Sequence, residues 1–217
     1  MKTSRFRLGY FVVLLSVALI SMPAGAVIVG AGWTQSDVGL HADGEGFYLS
    51  VGNDLQLDNP VLDARYSLDY VQKKGSQPTH FVDPLAGFFV EDAEVTLHVL
   101  QPSVFLGAKI PGLPVVPRLY IGGSIGLKLK ESWSDFPGLP DRTYGYKETD
   151  MVLHVGTSVG VGPVTLDLRW SKSMIGQLIL DPQLVQVTKA SDLLPGVSEP
   201  ETGFKTEVLQ VGIEVNF

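Results

Sequence analysis

The chain has 217 residues, 45% of them hydrophobic and 18% charged, and its 16 basic and 23 acidic side chains give a formal charge of −7. That apolar content supports a packed fold and excludes a disordered chain. The absence of Cys excludes disulfides, thiolate metal sites and cysteine nucleophiles.

The charged fraction is low, Gly is high at 24 residues, and the mean hydropathy is +0.20. An average chain is about a quarter charged and about 7% Gly. Something other than a water-facing surface must account for the difference.

Lys2, Arg5 and Arg7 open the chain, an apolar and small-residue run fills residues 8–21, and Ala24-Gly25-Ala26 follows Pro23. This order reads as a secretory signal peptide over residues 1–26, with Ala24 and Ala26 as the small residues of the cleavage site. The run is too short for a transmembrane helix of about 20 residues. Removing 26 residues and their three bases leaves 191 residues, 27–217, as one domain with a charge of −10. No later run of about 18 apolar residues predicts a spanning helix. A net-negative exported chain is a poor binder of nucleic acid.

From residue 27 onward the hydrophobic period is two, which predicts strands. Val27, Val29, Ala31 and Trp33 alternate with Ile28, Gly30, Gly32 and Thr34. Phe47, Leu49 and Val51 alternate with Tyr48, Ser50, Gly52 and Asp54. Leu62, Ala64, Tyr66, Leu68 and Tyr70 oppose Asp63, Arg65, Ser67 and Asp69. Residues 95–109 fit a strand in which Pro102 predicts a bulge and a register shift, with His98 facing a lumen.

Leu119, Ile121, Gly123, Ile125, Leu127 and Leu129 oppose Tyr120, Gly122, Ser124, Gly126, Lys128 and Lys130. Met151, Leu153, Val155, Thr157 and Val159 oppose Val152, His154, Gly156, Ser158 and Gly160. Val164, Leu166, Leu168 and Trp170 oppose Thr165, Asp167, Arg169 and Ser171. Leu209, Val211, Ile213, Val215 and Phe217 close the series against Gln210, Gly212, Glu214 and Asn216. These are eight strands with no convincing helix.

The polar faces are mostly Gly, Ser, Thr and Asn, which suit the crowded interior of an eight-stranded barrel better than a solvated surface. The branched and aromatic faces then point at lipid, where only a closed sheet satisfies its backbone. The expected fold is all-β, an eight-stranded antiparallel up-and-down transmembrane β-barrel; a soluble sandwich is the alternative.

The connections alternate long and short, with long ones at about residues 35–45, 73–94, 131–149 and 176–204. External loops and periplasmic turns of membrane barrels alternate in this way. The long connections hold 15 acidic and five basic residues, a charge of −10 equal to that of the whole mature chain. Trp33, Phe47, Tyr70, Trp133 and Trp170 fall where an outer aromatic girdle is expected, and Phe217 at the inner rim.

The closing segment from Val208 to Phe217 looks like the assembly signal that ends many bacterial outer-membrane barrels, carried by Leu209, Val211, Ile213, Val215 and Phe217. Gly46-Phe47-Tyr48-Leu49, Leu119-Tyr120-Ile121-Gly122-Gly123 and Leu166-Asp167-Leu168-Arg169-Trp170-Ser171 resemble strands of the small eight-stranded outer-membrane β-barrel domain family. So does the segment from Tyr66 to Gly75. The resemblance covers residues 27–217 and implies an integral protein of the cell outer membrane in a Gram-negative-type envelope. It also implies recognition by the barrel-assembly machinery through the last strand, and it implies no catalytic site or cofactor.

Candidate chemistry lies in the lumen. Asp54, Asp63, Asp69, Asp167 and Glu214 are expected to face Arg65, Lys128, Lys130 and Arg169. Unpaired charges there are costly, so a paired network that plugs the lumen is expected, against a narrow solute conduit as the alternative. His154, Ser158 and Asp167 are the candidates for a lipid-modifying enzyme. Four residues along a strand is about 13 Å, too far for His154 to bond Ser158. The four His residues have no metal-ligand spacing. The expectation is a monomeric, non-enzymatic barrel that contacts outer-membrane lipid and, through acidic external loops, lipopolysaccharide or extracellular partners.

Overall fold

The computed structural model describes residues 27–38, 42–55, 57–83, 87–133, 144–146, 148–174, 178–180 and 206–217. The signal-peptide reading, Ala24 and Ala26 included, and most of the last two long connections lie outside these residues.

Among the described residues ten strands form: β1 (Val27–Asp37), β2 (Ala42–Leu55), β3 (Leu62–Asp83), β4 (Gly87–Lys109), β5 (Val116–Trp133), β6 (Tyr144–Tyr146), β7 (Thr149–Val161), β8 (Val164–Ser173), β9 (Leu178–Leu180) and β10 (Glu207–Asn216). Eight of them close into an antiparallel barrel in the order β1-β10-β8-β7-β5-β4-β3-β2, while β6 and β9 pair separately. The β1–β10 ladder runs from Ile28↔Asn216 to Asp37↔Glu207, so no sheet edge is left along the wall.

The paired residues fix the barrel's shape. One circuit from Val27 passes through Asn53, Tyr66, Val104, Gly123, Leu153, Lys172 and Glu207 and returns to β1 at Asp37, ten residues beyond its start. A stagger of ten over eight strands, with ~3.3 Å per residue and ~4.8 Å between strands, tilts the strands by about 40° and sets a radius of about 8 Å. Each residue then climbs about 2.5 Å along the barrel axis, so about ten residues cross a hydrocarbon belt of about 25 Å.

Alternation along the strands sorts the side chains between two environments. On β8, Leu166, Leu168 and Trp170 are exposed outside, while Asp167 and Arg169 are each 2% exposed inside. On β10, Leu209, Val211, Ile213 and Phe217 are exposed and Val215 is half-buried; Gln210, Gly212 and Glu214 are buried. The outer wall is therefore apolar, with Leu119 69% and Leu106 62% exposed. Trp33, Phe47 and Trp170 are exposed on this wall, and Tyr70 is half-buried 5.7 Å from the Phe47 ring. The side chain of Trp133 lies outside the described residues.

Inward glycines make room for rings that lie along the wall. A Cβ at Gly212 would come 2.1 Å from the Tyr48 hydroxyl, and one at Gly32 would come 2.6 Å from the same ring. Gly122 gives way to Phe105 and Gly156 to Tyr120 in the same manner, at 2.3 Å each. Part of the high Gly content thus follows from packing aromatic rings into a narrow tube. Gly162, at φ 59°, supplies the left-handed residue of the two-residue turn between β7 and β8.

Several sequence expectations are corrected. The β3–β4 ladder passes through Leu68↔Pro102 without a shift. On the other side the β4–β5 pairing skips Gln101 and Pro102 and resumes in register at Ser103↔Ser124. The missing proline N–H is thus confined to one ladder, on the lipid-facing wall. The register shift instead lies between His98↔Lys130 and Val99↔Lys128, where Leu129 is the extra residue. That bulge turns Lys130 outward.

With no shift at Pro102, Val95, Leu97 and Val99 are buried inside and His98 faces out. Residues 73–94 extend β3 and β4 as a hairpin paired as far as Asp83↔Gly87. Leu178–Leu180 pairs with Tyr144–Tyr146 of the preceding long connection.

Candidate functional site

In the lumen, charged side chains of both signs converge from several strands. Arg169, on β8, is its centre. Its Nη1 donates to Asp69 Oδ2 at 2.9 Å, its Nη2 lies 3.5 Å from Asp167 Oδ2 and 4.0 Å from Glu214 Oε1, and its Nε donates to the Tyr120 hydroxyl at 3.3 Å. The guanidinium carbon sits 4.6 Å from the centre of the Phe105 ring. In the barrel order β8 and β3 are four steps apart in either direction, so the Arg169–Asp69 pair spans the full width of the tube.

The neighbours of this pair saturate it. Asp69 also accepts from Ser50 Oγ at 2.6 Å and Ser103 Oγ at 3.2 Å. Tyr120 donates to Asp167 Oδ1 at 2.6 Å. Arg65 donates through Nε to Asp54 Oδ1 at 2.7 Å and through Nη1 to Glu214 Oε2 at 2.5 Å. Arg118 holds Asp63 with its Nε at 2.9 and 3.0 Å from the two carboxylate oxygens, and stacks 4.9 Å from the Tyr120 ring centre. Three arginines thus serve five carboxylates, because Arg65 and Arg169 each bridge more than one. The bidentate reach of guanidinium makes such sharing possible, and lysine would not reproduce it.

The structure brings Arg65, Asp69, Asp167, Arg169 and Glu214 into one network and puts Asp63 in a separate pair with Arg118. Lys128 stands apart, bonded to Glu131 at 2.8 Å and near Glu148 at 3.4 Å. Lys130 is exposed on the outer wall. Arg118 lies one residue before Leu119, where the apolar alternation after Pro117 begins; the same two-residue step taken back from Tyr120 reaches it.

Above the network the lumen holds His154 and then a mostly aliphatic layer in which Lys73 and Asp150 are also buried. His154 is 0% exposed, and its Nδ1 and Nε2 bond the hydroxyls of Ser171 and Ser124, each at 2.8 Å. Ser158 pairs in register with Asp167, four residues along the same β7–β8 ladder from the His154↔Ser171 pair. No carboxylate orients the imidazole, and Ser158 is not one of its partners. Further outward, Val71, Val95, Leu97, Val99, Val152 and Val208 are buried, together with Lys73, whose Nζ donates to Thr206 at 3.2 Å. Among the described residues no group of three or more His, Asp or Glu is placed to hold a metal ion.

The row expected to act as an assembly signal, Leu209, Val211, Ile213, Val215 and Phe217, lies along the outer face of β10. Its neighbours are β1 and β8.

No family model matches the chain, and no curated protein matches it. Solved structures do. The attachment invasion locus protein Ail of Yersinia pestis, in a complex with the heparin analogue sucrose octasulfate, aligns at 14% identity over 89% of this chain and 99% of its own, with a TM-score of 0.45. Neisserial surface protein A aligns at 17% identity over 88% and 96%, with a TM-score of 0.45. A major outer membrane protein from Thermus thermophilus aligns at 13% identity over 88% and 99%, with a TM-score of 0.44. The fold assignment itself rests on the closed ladder and on the inward and outward sorting of this chain's own side chains.

Proposed function

We propose that this chain, an integral outer-membrane β-barrel with an apolar wall and a charged interior, is a closed barrel with a structural or interaction role. The observation that carries the proposal is the Arg169–Asp69 pair across the whole width of a lumen about 16 Å between backbone walls. Side chains fill barrels of this size, whereas water-filled channels belong to barrels of about 16 strands. The side chains above the network support the same reading, since Val71, Val95, Leu97, Val99, Val152 and Val208 are buried there and fill the lumen.

A non-enzymatic role is part of the proposal. His154, the candidate base, is enclosed between two serine hydroxyls and is 0% exposed. Specific contacts then fall to the outer end of the barrel, where the long connections carry the acidic residues. The outward row of β10 is the surface that barrel-assembly machinery would read, and the mature barrel is proposed to act as a monomer.

Detergent extraction followed by gel migration with and without heating tests the membrane barrel. The folded form is expected to need detergent and to migrate differently before and after boiling. A chain soluble without detergent contradicts the proposal.

A further inference from the structure

The outer wall is not electrically uniform at its upper rim. Lys74 on β3, His98 on β4 and Lys130 on β5 share one outward patch across three adjacent strands. His98 is paired directly with Lys130 and faces Gln72, one outward position below Lys74. Directly opposed residues are about 5 Å apart at Cβ and diagonal ones about 7–8 Å, so all three reach a common point.

Among the described residues neither lysine forms a salt bridge; the other described lysine facing lipid, Lys172, is held by Glu207. On β4 the next acid is Glu94, opposite Ser76 and one outward position beyond Thr96. Asp43 and Glu45 are exposed on β2, the strand paired with β3, where Asp43 stands opposite Gly75 and accepts from Gln35 Nε2 at 3.0 Å; Asp37 is exposed on β1 beyond them.

The depth of the patch matches a headgroup layer. Lys74 lies twelve residues beyond Leu62, the first residue of β3, or about 30 Å along the barrel axis, just past a hydrocarbon belt of about 25 Å. Beneath it the wall is apolar, with Leu100, Pro102, Val104, Ile125 and Leu127 facing out. Tyr70 bonds His98 Nδ1 at the boundary. With the hydroxyl donating, the imidazole keeps its proton on Nε2 for an acceptor.

We infer that Lys74, His98 and Lys130 form a site on the barrel wall for the phosphate of a phosphorylated glycolipid in the outer leaflet, whose acyl chains lie against β4 and β5 below. Two ammonium groups and an imidazole N–H supply the donors that a phosphate takes, and the apolar wall supplies what free phosphate lacks. The Leu129 bulge is what makes the site. Without the extra residue Lys130 would point into the lumen, and the patch would lose one of its two lysines.

The inference rests on the membrane reading, so the test uses the full-length barrel after heat-modifiable folding has been established in detergent. Binding of bisphosphorylated lipid A is measured for the wild type, for the K74Q/K130Q double variant and for K172Q, with dephosphorylated lipid A and inorganic phosphate as separate probes. The double variant is expected to lose about tenfold or more in affinity while remaining heat-modifiable, and K172Q is expected to bind as the wild type does. Dephosphorylated lipid A is expected to bind at least as weakly as the double variant binds the phosphorylated form, and millimolar inorganic phosphate is expected not to compete.

Equal binding by the wild type and the double variant overturns the site but not the barrel. So does an equal loss in K172Q, equal binding of the dephosphorylated lipid, or competition by free phosphate. A chain that never becomes heat-modifiable overturns both.

Discussion

Arg169 and Asp69 stand on opposite strands of the barrel, each no more than 2% exposed, and meet at 2.9 Å across the full width of the lumen. Removing the arginine leaves Asp69, Asp167 and Glu214 facing one another without their shared cation. Breaking a buried pair from one side costs about 3–5 kcal/mol, whereas an apolar replacement of both partners is far less harmful. R169A is therefore expected to lower unfolding stability in detergent by about that amount. R169M/D69L should cost less than the sum of its two single changes. Additive urea midpoints would show that the two residues do not act as a unit.

Tyr48 lies flat over β1 and β10 because Gly32 and Gly212 leave room for its ring. G212A puts a methyl group 2.1 Å from the tyrosine hydroxyl and 2.6 Å from the Ala31 carbonyl oxygen. Overpacking of this kind costs about 1–3 kcal/mol. At outward Gly123 the nearest atom to an added Cβ is 3.8 Å away, so G123A is expected to stay within about 0.5 kcal/mol of the wild type. Denaturant midpoints of the two variants, measured side by side, check the contrast.

Leu168 is 43% exposed in the middle of the outer wall, between Thr157 and Val211. On a water-facing surface a change to arginine would be nearly neutral, within about 0.5 kcal/mol. In a bilayer it costs about 2–4 kcal/mol near the midplane. L168R is expected to show the larger penalty when refolding into lipid vesicles is measured against urea, and a neutral result would speak against lipid at that face.

His154 and Ser158 are both buried in the lumen, and the imidazole is bonded to Ser124 and Ser171. H154A and S158A are expected to leave the lipid A profile of cells expressing the protein unchanged. A deacylated or newly acylated species that appears with the wild type and vanishes with either variant would make the barrel an enzyme.

Much of this architecture is legible in the alternation of the sequence. Leu166, Leu168 and Trp170 against Asp167 and Arg169 give the inside and outside of β8 directly, and the same rule places Asp69, Arg65 and Glu214 in the lumen. The rule fails where a single residue changes its phase. Leu129 adds one position to β5 and turns Lys130 outward, and nothing in Gly126-Leu127-Lys128-Leu129-Lys130 marks the bulge.

Pro102 carries a misleading signal, because proline in a strand reads as a break. Here its missing donor affects one ladder only, and the strand keeps its register with β3. The polar stretch from Lys73 to Thr79 resembles a loop in composition, yet its backbone continues β3 through pairing with β4. Such pairing depends on the partner strand and is invisible to a local pattern.

Single-channel recording from the purified, folded protein in a planar bilayer tests the closed lumen most directly. No stable unitary currents are expected, because Arg169, Asp69, Arg65 and Glu214 fill the tube and buried aliphatic side chains pack above them with Lys73 and Asp150. Reproducible currents of constant amplitude from the wild-type barrel would contradict a plugged lumen.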